Sequence, residues 1–250
     1  MDALIIAAGF GSRLRDLSDS KPLTPIAGVP MIELGIRQAV AAGVDRVVVV
    51  TGHRAAELEA FLADLATRSG IAIDPVRITD WSTPNGWSVI AGSEACAGNY
   101  LLMMADHMFD RAILARLIEQ GGPERAVTLA VDVDVENPLV DPDDATWVRR
   151  DPAGRIRAIG KTIADYDCVD CGAFLATPEL AAAIRAAIAA GRPGSLSDGM
   201  QLLADAGTAQ TMEVEGLWWM DVDDPRAHAL AEMEAPQRMA EAYAAALSGS

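Results

Sequence analysis

The chain opens on an uninterrupted apolar run, Ala3 to Ala8, that ends in Gly9-Phe10-Gly11. With apolar side chains at every position it has no polar face to turn toward water, so a strand here is buried on both sides, as parallel strands are. A sheet buried on both faces needs helices over each. The first half of the chain supplies them. Strands are expected at Leu4–Ala8, Arg46–Thr51, Ala72–Ile78, Tyr100–Met104 and Ala126–Val131, with helices near Met31–Ala42, Ala55–Ser69, Trp87–Ala95 and Arg111–Glu119. The alternation predicts an α/β protein with a Rossmann-like mixed, mainly parallel sheet and helices on both faces. Ligands of such sheets bind beyond the carboxyl ends of the strands.

The rhythm changes after about residue 136. Asn137 through Asp144 reads as a turn-rich connector. Thr146–Arg150 and Arg155–Gly160 flank Asp151-Pro152-Ala153-Gly154 as a hairpin. A strand at Val169–Ala176 leads into a helix with Thr177 as N-cap and Pro178 at its first position, stopping at Gly191. A shorter helix near Ser197, a strand at Thr211–Glu215 and a helix after Pro225 complete the chain. The expected organisation is one domain over 1–250, with a small mixed subdomain formed from residues 136–250 beside a first half of 1–135. A length of 250 residues suits that plan.

Glycines directly after a strand let backbone N–H groups approach an anion closely. Here Arg13 and Lys21 add positive charge to the same loop. Two familiar phosphate loops are excluded. The dinucleotide fingerprint needs a third glycine where this chain has Leu14, and no Gly-Lys-Ser/Thr follows Gly11.

The net charge of −16 argues against nucleic acid or an anionic membrane surface as partner. It leaves room for a small phosphorylated ligand held by backbone N–H groups, a divalent metal and a few placed cations. No apolar run is long enough to span a membrane, and the start has no basic region of a signal peptide. With three cysteines and no such leader, a cytoplasmic location is expected. Cys168-Val-Asp-Cys171 lacks the two further ligands a zinc site wants, so it reads as two small strand residues.

Carboxylates recur where strands end. Asp106-His107 follows Tyr100–Met104, with Asp106 well placed to hold Mg²⁺ against phosphate and a helix cap as its lesser alternative. In Trp218-Trp219-Met220-Asp221-Val222-Asp223-Asp224-Pro225, Asp221 and Asp223 point to one side of an extended segment while Asp224 caps the last helix. Lys161 is a third cation or a solvated charge. Asn85 and Ser88, within Thr83-Pro84-Asn85-Gly86-Trp87-Ser88, are hydrogen-bonding groups for a base or ribose, or a turn and N-cap.

The run Ala7-Ala8-Gly9-Phe10-Gly11-Ser12-Arg13-Leu14, with Lys21-Pro22-Leu23, resembles the signature of nucleotidyltransferases that activate sugar, choline or inositol phosphates with an NTP. Asn85–Ser88, Leu102–His107, Ile159–Lys161 with Tyr166–Asp170, and Leu217–Asp223 make nearly the whole chain similar to CTP:inositol-1-phosphate cytidylyltransferases. That resemblance implies CTP, a small phosphorylated acceptor and Mg²⁺. It implies that Ala7, Ala8, Gly9, Gly11, Ser12 and Arg13 wrap the nucleotide and its triphosphate, with Arg13 and Lys21 serving catalysis. It further implies that Asn85, Gly86 and Ser88 face the cytosine, that Asp106 with Asp221 and Asp223 holds the metal, and that His107, Lys161, Asp170 and Gly172 form the acceptor wall. It places the nucleotide in the first half and the acceptor in the second. Phosphocholine and sugar 1-phosphates are the alternative acceptors, with Trp81/Trp87 and Trp218/Trp219 as the aromatic pairs a choline cage would use. A non-catalytic nucleotide-binding subunit predicts loss of Arg13, Lys21 or the aspartates, all of which are present. Cys171 stands where the resemblance leads one to expect Thr. Many relatives of this kind carry a fused membrane synthase domain, so the chain is expected to be a stand-alone enzyme or a piece cut at that boundary. The oligomeric state is silent in the sequence, and a homodimer stays open.

Overall fold

The structure, a computed structural model, describes residues 1–14, 18–120 and 125–248. In chain order its elements are β1 (Asp2–Ile6), a two-stranded clip of β2 (Pro25–Ile26) and β3 (Val29–Pro30), α1 (Met31–Ala41), β4 (Arg46–Thr51), α2 (Ala55–Ser69), β5 (Ala72–Arg77), α3 (Asn85–Ser93), β6 (Tyr100–Met104), β7 (His107–Phe109), α4 (Arg111–Gln120) and β8 (Val127–Asp132). Then follow β9 (Trp147–Arg150), β10 (Ile156–Gly160), β11 (Cys168–Ala176), α5 (Pro178–Ala189), α6 (Leu196–Asp205), β12 (Ala209–Glu213), β13 (Trp219–Asp221), α7 (Pro225–Arg238) and α8 (Ala240–Ser248).

Nine strands form one mixed sheet along the path β10-β9-β11-β6-β1-β4-β5, with β8 and β12 joined beyond β11. Parallel registers run Ile6↔Val50 and Ile6↔Met104, so β1, β4 and β6 deliver their carboxyl ends to one edge. The long strand β11 is antiparallel to β6, β8 and β9, and only it and β10 run against the rest. The second half does not stand apart, because its strands extend the sheet that the first half begins.

The apolar runs bury both faces as expected. Ala3, Ile5, Val47, Val49, Leu101 and Met103 pack under α1, α2 and α4. Leu4, Val48, Val50 and Leu102 pack under α3, α5 and α6. The alternation follows from the two-residue period of a strand. Cys168 and Cys171 fall on opposite faces, one in each core layer, so they cannot hold one ion together. A third cluster seats α7 and α8 against the β2–β3 clip, Trp218 and Met220. Thr177 caps α5 by accepting from Glu179 N–H, and Ser195 and Asp198 form a reciprocal capping box at α6. The helix expected after Pro225 is two, because Pro236 near the end of α7 withholds a backbone donor and the chain bends at Met239.

Candidate active site

The loop after β1 leaves the sheet late. Ala7 N–H still donates to Val50 O at 2.9 Å, and Ala8 O accepts from His53 N–H at 3.0 Å. The expected strand Leu4–Ala8 is therefore shifted to Asp2–Ile6, with Ala7 and Ala8 continuing its bonding. At Gly9 a Cβ would meet nothing within 4 Å among the described residues. Gly11 has φ +61, and a Cβ would collide with the Lys21 side chain. Glycine is required there for both reasons, and its bareness lets the Lys21 stem lie across the loop. The Ser12 side chain lies outside the described residues.

β6 ends at Met104, and the turn through Asp106 enters β7. β7 pairs with β13 in an antiparallel ribbon, with His107 opposite Asp221, and Val222 N–H closes it onto Asp106 O at 2.9 Å. This ribbon carries Asp221 and Asp223 from the far end of the chain to the Asp106-His107 turn. Lys21 Nζ donates to Asp106 Oδ2 at 2.6 Å and also to Asp223. His107 Nδ1 lies 2.8 Å from Asp106 Oδ1 and 3.7 Å from Asp221 Oδ1. Asp224 caps α7, accepting from Ala227 N–H at 2.8 Å.

Electrostatics follow from this crowding. Burial works against the Asp106 charge, but Lys21 and His107 outweigh it and hold the carboxyl well below its ordinary range. Burial likewise works against a charged His107, yet Asp221, Asp106 and Asp170 raise it to about 9. Asp221 is pushed up by burial and by Asp106, against the pull of His107. Asp170 is pushed up to about 6, by burial first.

Asp170 reaches the site because β11 bulges between Asp170 and Phe174. Gly172 makes the bulge with φ +79 and gives its N–H to Asp170 Oδ1 at 2.7 Å. A Cβ on Gly172 would strike the His107 ring. The glycine thus shapes the wall through His107.

Two cavities meet at this point. One of about 280 Å³ is lined by Ala7, Gly9, Gly11, Arg13 and Lys21. The other, of about 390 Å³, is lined among others by His107, Asp144, Thr146, Lys161, Asp170 and Gly172. Asp106 and Asp223 line both. Arg13 Nη2 pairs with Asp144 Oδ2 at 2.8 Å and Arg13 Nη1 lies 3.5 Å from Asp223 Oδ2. Lys161 pairs with Asp144 as well. In the sequence Asp144 is one acid within the turn-rich connector. The only trace of it was the density of acids in Asp141-Pro142-Asp143-Asp144.

Asn85 opens α3 and lines the larger cavity. Its Oδ1 accepts from Leu196 N–H at 2.9 Å, tying α3 to the start of α6. Gly86 is a packing glycine, since a Cβ would strike Gly194 O and Ile184. Ser88 is buried in the same helix. The aromatic pairs do not form a cage. Trp218 Nε1 donates to Glu234, Trp219 Nε1 to Asp132 and Trp87 Nε1 to Pro193 O. Of these tryptophans only Trp219 lines the larger cavity.

The donor set suits a hard divalent cation. Carboxylate oxygens of Asp144, Asp221 and Asp223 lie within 4.8 Å of one another, as do ligand atoms of Asp106, His107 and Asp221. Among the described residues the buried Asp221 Oδ1 has no hydrogen-bond partner, an orphan that a cation would satisfy.

A sheet whose carboxyl edge gathers cations from one loop and carboxylates from three others is the framework of a nucleotidyltransferase. The chain belongs to the MobA-like NTP transferase family, whose domain matches residues 3–196. A bifunctional IPC transferase and DIPP synthase of Rubrobacter xylanophilus is 32% identical over 231 residues, 92% of this chain and 51% of that protein. The protein of the same name from Aquifex aeolicus is 27% identical over 226 residues, 89% of this chain and 49% of its own length. The chain thus spans about half the length of these curated relatives. The inositol-1-phosphate CTP transferase of T. maritima superposes with a TM-score of 0.81 at 22% identity, covering 96% of this chain and 95% of that one. UDP-glucose pyrophosphorylase complexed with UDP-glucose follows at 0.78 and 15%, covering 95% and 98%. These structural likenesses establish the fold, a mixed, mainly parallel sheet.

Proposed function

We propose that this enzyme transfers CMP from CTP to inositol 1-phosphate, giving CDP-inositol and pyrophosphate. The observation that carries the reading is the junction of the two cavities at Asp106 and Asp223. A nucleotide in the smaller cavity and an acceptor in the larger would meet there. The similarity of 92% of the chain to an IPC transferase favours the inositol acceptor. The larger cavity's wall offers a quaternary ammonium no aromatic pair, Trp219 being the one tryptophan that lines it.

In this reading the glycine loop and Arg13 bind the triphosphate, and residues 1–135 form the nucleotide half. Of the residues expected to face the cytosine, Asn85 lines the larger cavity and fixes α6, while Gly86 and Ser88 line neither cavity and act by packing α3. Lys161, Asp170 and Gly172 from 136–250 form the acceptor side together with His107 from the first half. The acceptor phosphate is anionic near neutral pH, so its oxygen attacks the α-phosphorus without a general base. The new O–P bond forms as the bond to the β-phosphate oxygen breaks. Lys21 lines the smaller cavity, pairs with the shared Asp106 and Asp223, and stabilises the charge that builds on the leaving pyrophosphate. Asp106, Asp221 and Asp223 would hold Mg²⁺, with Asp144 in reach. The chemistry such an ion supplies when bound is neutralisation of phosphate charge.

The test is pyrophosphate release with Mg²⁺, crossing CTP and UTP against inositol 1-phosphate, phosphocholine and glucose 1-phosphate. Release with CTP and inositol 1-phosphate alone supports the assignment. Release with another pair moves the acceptor or the base, and none across the grid overturns the reading.

A further inference from the structure

One carboxylate spans the two cation positions. Asp144 Oδ2 accepts from Arg13 Nη2 at 2.8 Å, and Asp144 Oδ1 accepts from Lys161 Nζ. Arg13 belongs to the loop after β1, and Lys161 follows β10. Among the described residues no other carboxylate pairs with both.

The backbone that carries Asp144 has bonds of its own besides these two ion pairs. Asp144 rides on the strap between β8 and β9, which is folded by its own side chains. Asp132 Oδ1 accepts from Asp134 N–H at 3.0 Å, Asn137 Oδ1 from Leu139 N–H at 3.0 Å, and Asp141 Oδ1 from Asp143 N–H at 3.0 Å. Ala145 N–H donates to Asp141 O at 2.9 Å. Such local bonds preset a loop without long-range partners. Burial opposes the Asp144 charge, but Lys161 and Arg13 outweigh it and keep the group a carboxylate.

We propose that Asp144 is a positioning residue that stands in for phosphate. It holds Arg13 and Lys161 at two neighbouring subsites before substrates arrive, and it must release both when they bind. The inference rests on the reading that these two cations meet phosphates. Without Asp144 the two like charges would repel and drift. With it, an incoming polyphosphate on Arg13 leaves a carboxylate beside new negative charge, so Asp144 withdraws and Lys161 is freed. The first anion bears the loss of both ion pairs, and the second finds its cation available. The two binding events are thereby coupled with a positive sign.

Titration calorimetry in EDTA tests this, with inorganic pyrophosphate and inorganic phosphate added singly and together. In the unmodified protein each anion tightens the other. Asp144→Asn keeps the shape and removes the charge. It should bind pyrophosphate about three- to tenfold tighter and lose the coupling, while Asp144→Glu restores it. A merely structural Asp144 would weaken binding when changed, so unchanged or weaker pyrophosphate binding by Asp144→Asn overturns the proposal. Arg13→Gln in the same titration separates the levels. If it weakens pyrophosphate while Asp144→Asn does nothing, only the role of Asp144 falls. If it leaves pyrophosphate untouched, the phosphate reading falls with it.

Discussion

Lys21→Met isolates the ammonium at the junction. The methionine keeps the apolar stem that crosses Gly11 and removes only the charge that bridges Asp106 and Asp223. Lys21 is 9% exposed, and the carboxylate side chains are 28% and 24% exposed. Taking one member from a buried ion cluster costs about 3–5 kcal/mol when nothing replaces it. Here Arg13 stays 3.5 Å from Asp223 and His107 stays on Asp106, which offsets part of the loss. The variant should therefore lose about 2–3 kcal/mol in EDTA, read from urea unfolding. Millimolar Mg²⁺ should return most of it, because the two carboxylates then share a cation again. Turnover should not return. Losing one contact that stabilises transition-state charge costs about 10²–10³-fold in kcat. The assay is pyrophosphate release with CTP and inositol 1-phosphate at saturating Mg²⁺. Near-normal kcat in the folded variant would refute the placement of Lys21 on the reacting phosphates.

Further outcomes follow from local geometry. Gly172→Ala puts a Cβ into the His107 ring at a left-handed φ, so Tm should fall by about 3–6 °C and the acceptor KM should rise more than that of CTP. An unchanged acceptor KM would detach Gly172 from the site. Asp2 is held below its ordinary pKa chiefly by Arg46, at 2.6 Å, with Ala97 N–H adding to it against burial. A depressed carboxylate contributes stability that is full above its unfolded value, about 3.9, and lost as pH falls through the folded value. Asp2→Asn should thus be less stable than the unmodified protein at pH 7, with the gap closing below about pH 4; equal gaps in urea midpoints at pH 7 and pH 3 would contradict this.

Local pattern was enough for the scaffold. Arg46–Thr51, Ala55–Ser69 and Tyr100–Met104 fall where their periodicity places them, because each segment is long and buries a whole face or stripe. The caps at Thr177 and Asp224 depend only on neighbours a few residues away. The clip of β2 and β3 and the ribbon of β7 and β13 were not legible. Strands of two or three residues carry no period, and they exist only because a distant partner satisfies their backbone. Asp144 is silent in the sequence for a related reason. An acid in an acidic connector is indistinguishable from its neighbours until two cations from elsewhere close on it.

Local residue pattern thus specifies the sheet with its two covered faces and the glycine turn after β1. It also marks the residue types able to meet phosphate. Those features rest on interactions within a few residues or on the amount of apolar surface to be hidden. Tertiary structure alone decided that Lys21 stands between Asp106 and Asp223. It alone set His107 against Gly172 and let one carboxylate bridge Arg13 and Lys161. Such pairings span up to 202 residues of chain, and charges do not declare their partners in sequence, because Coulomb interactions depend on the distance and burial that only the closed fold creates.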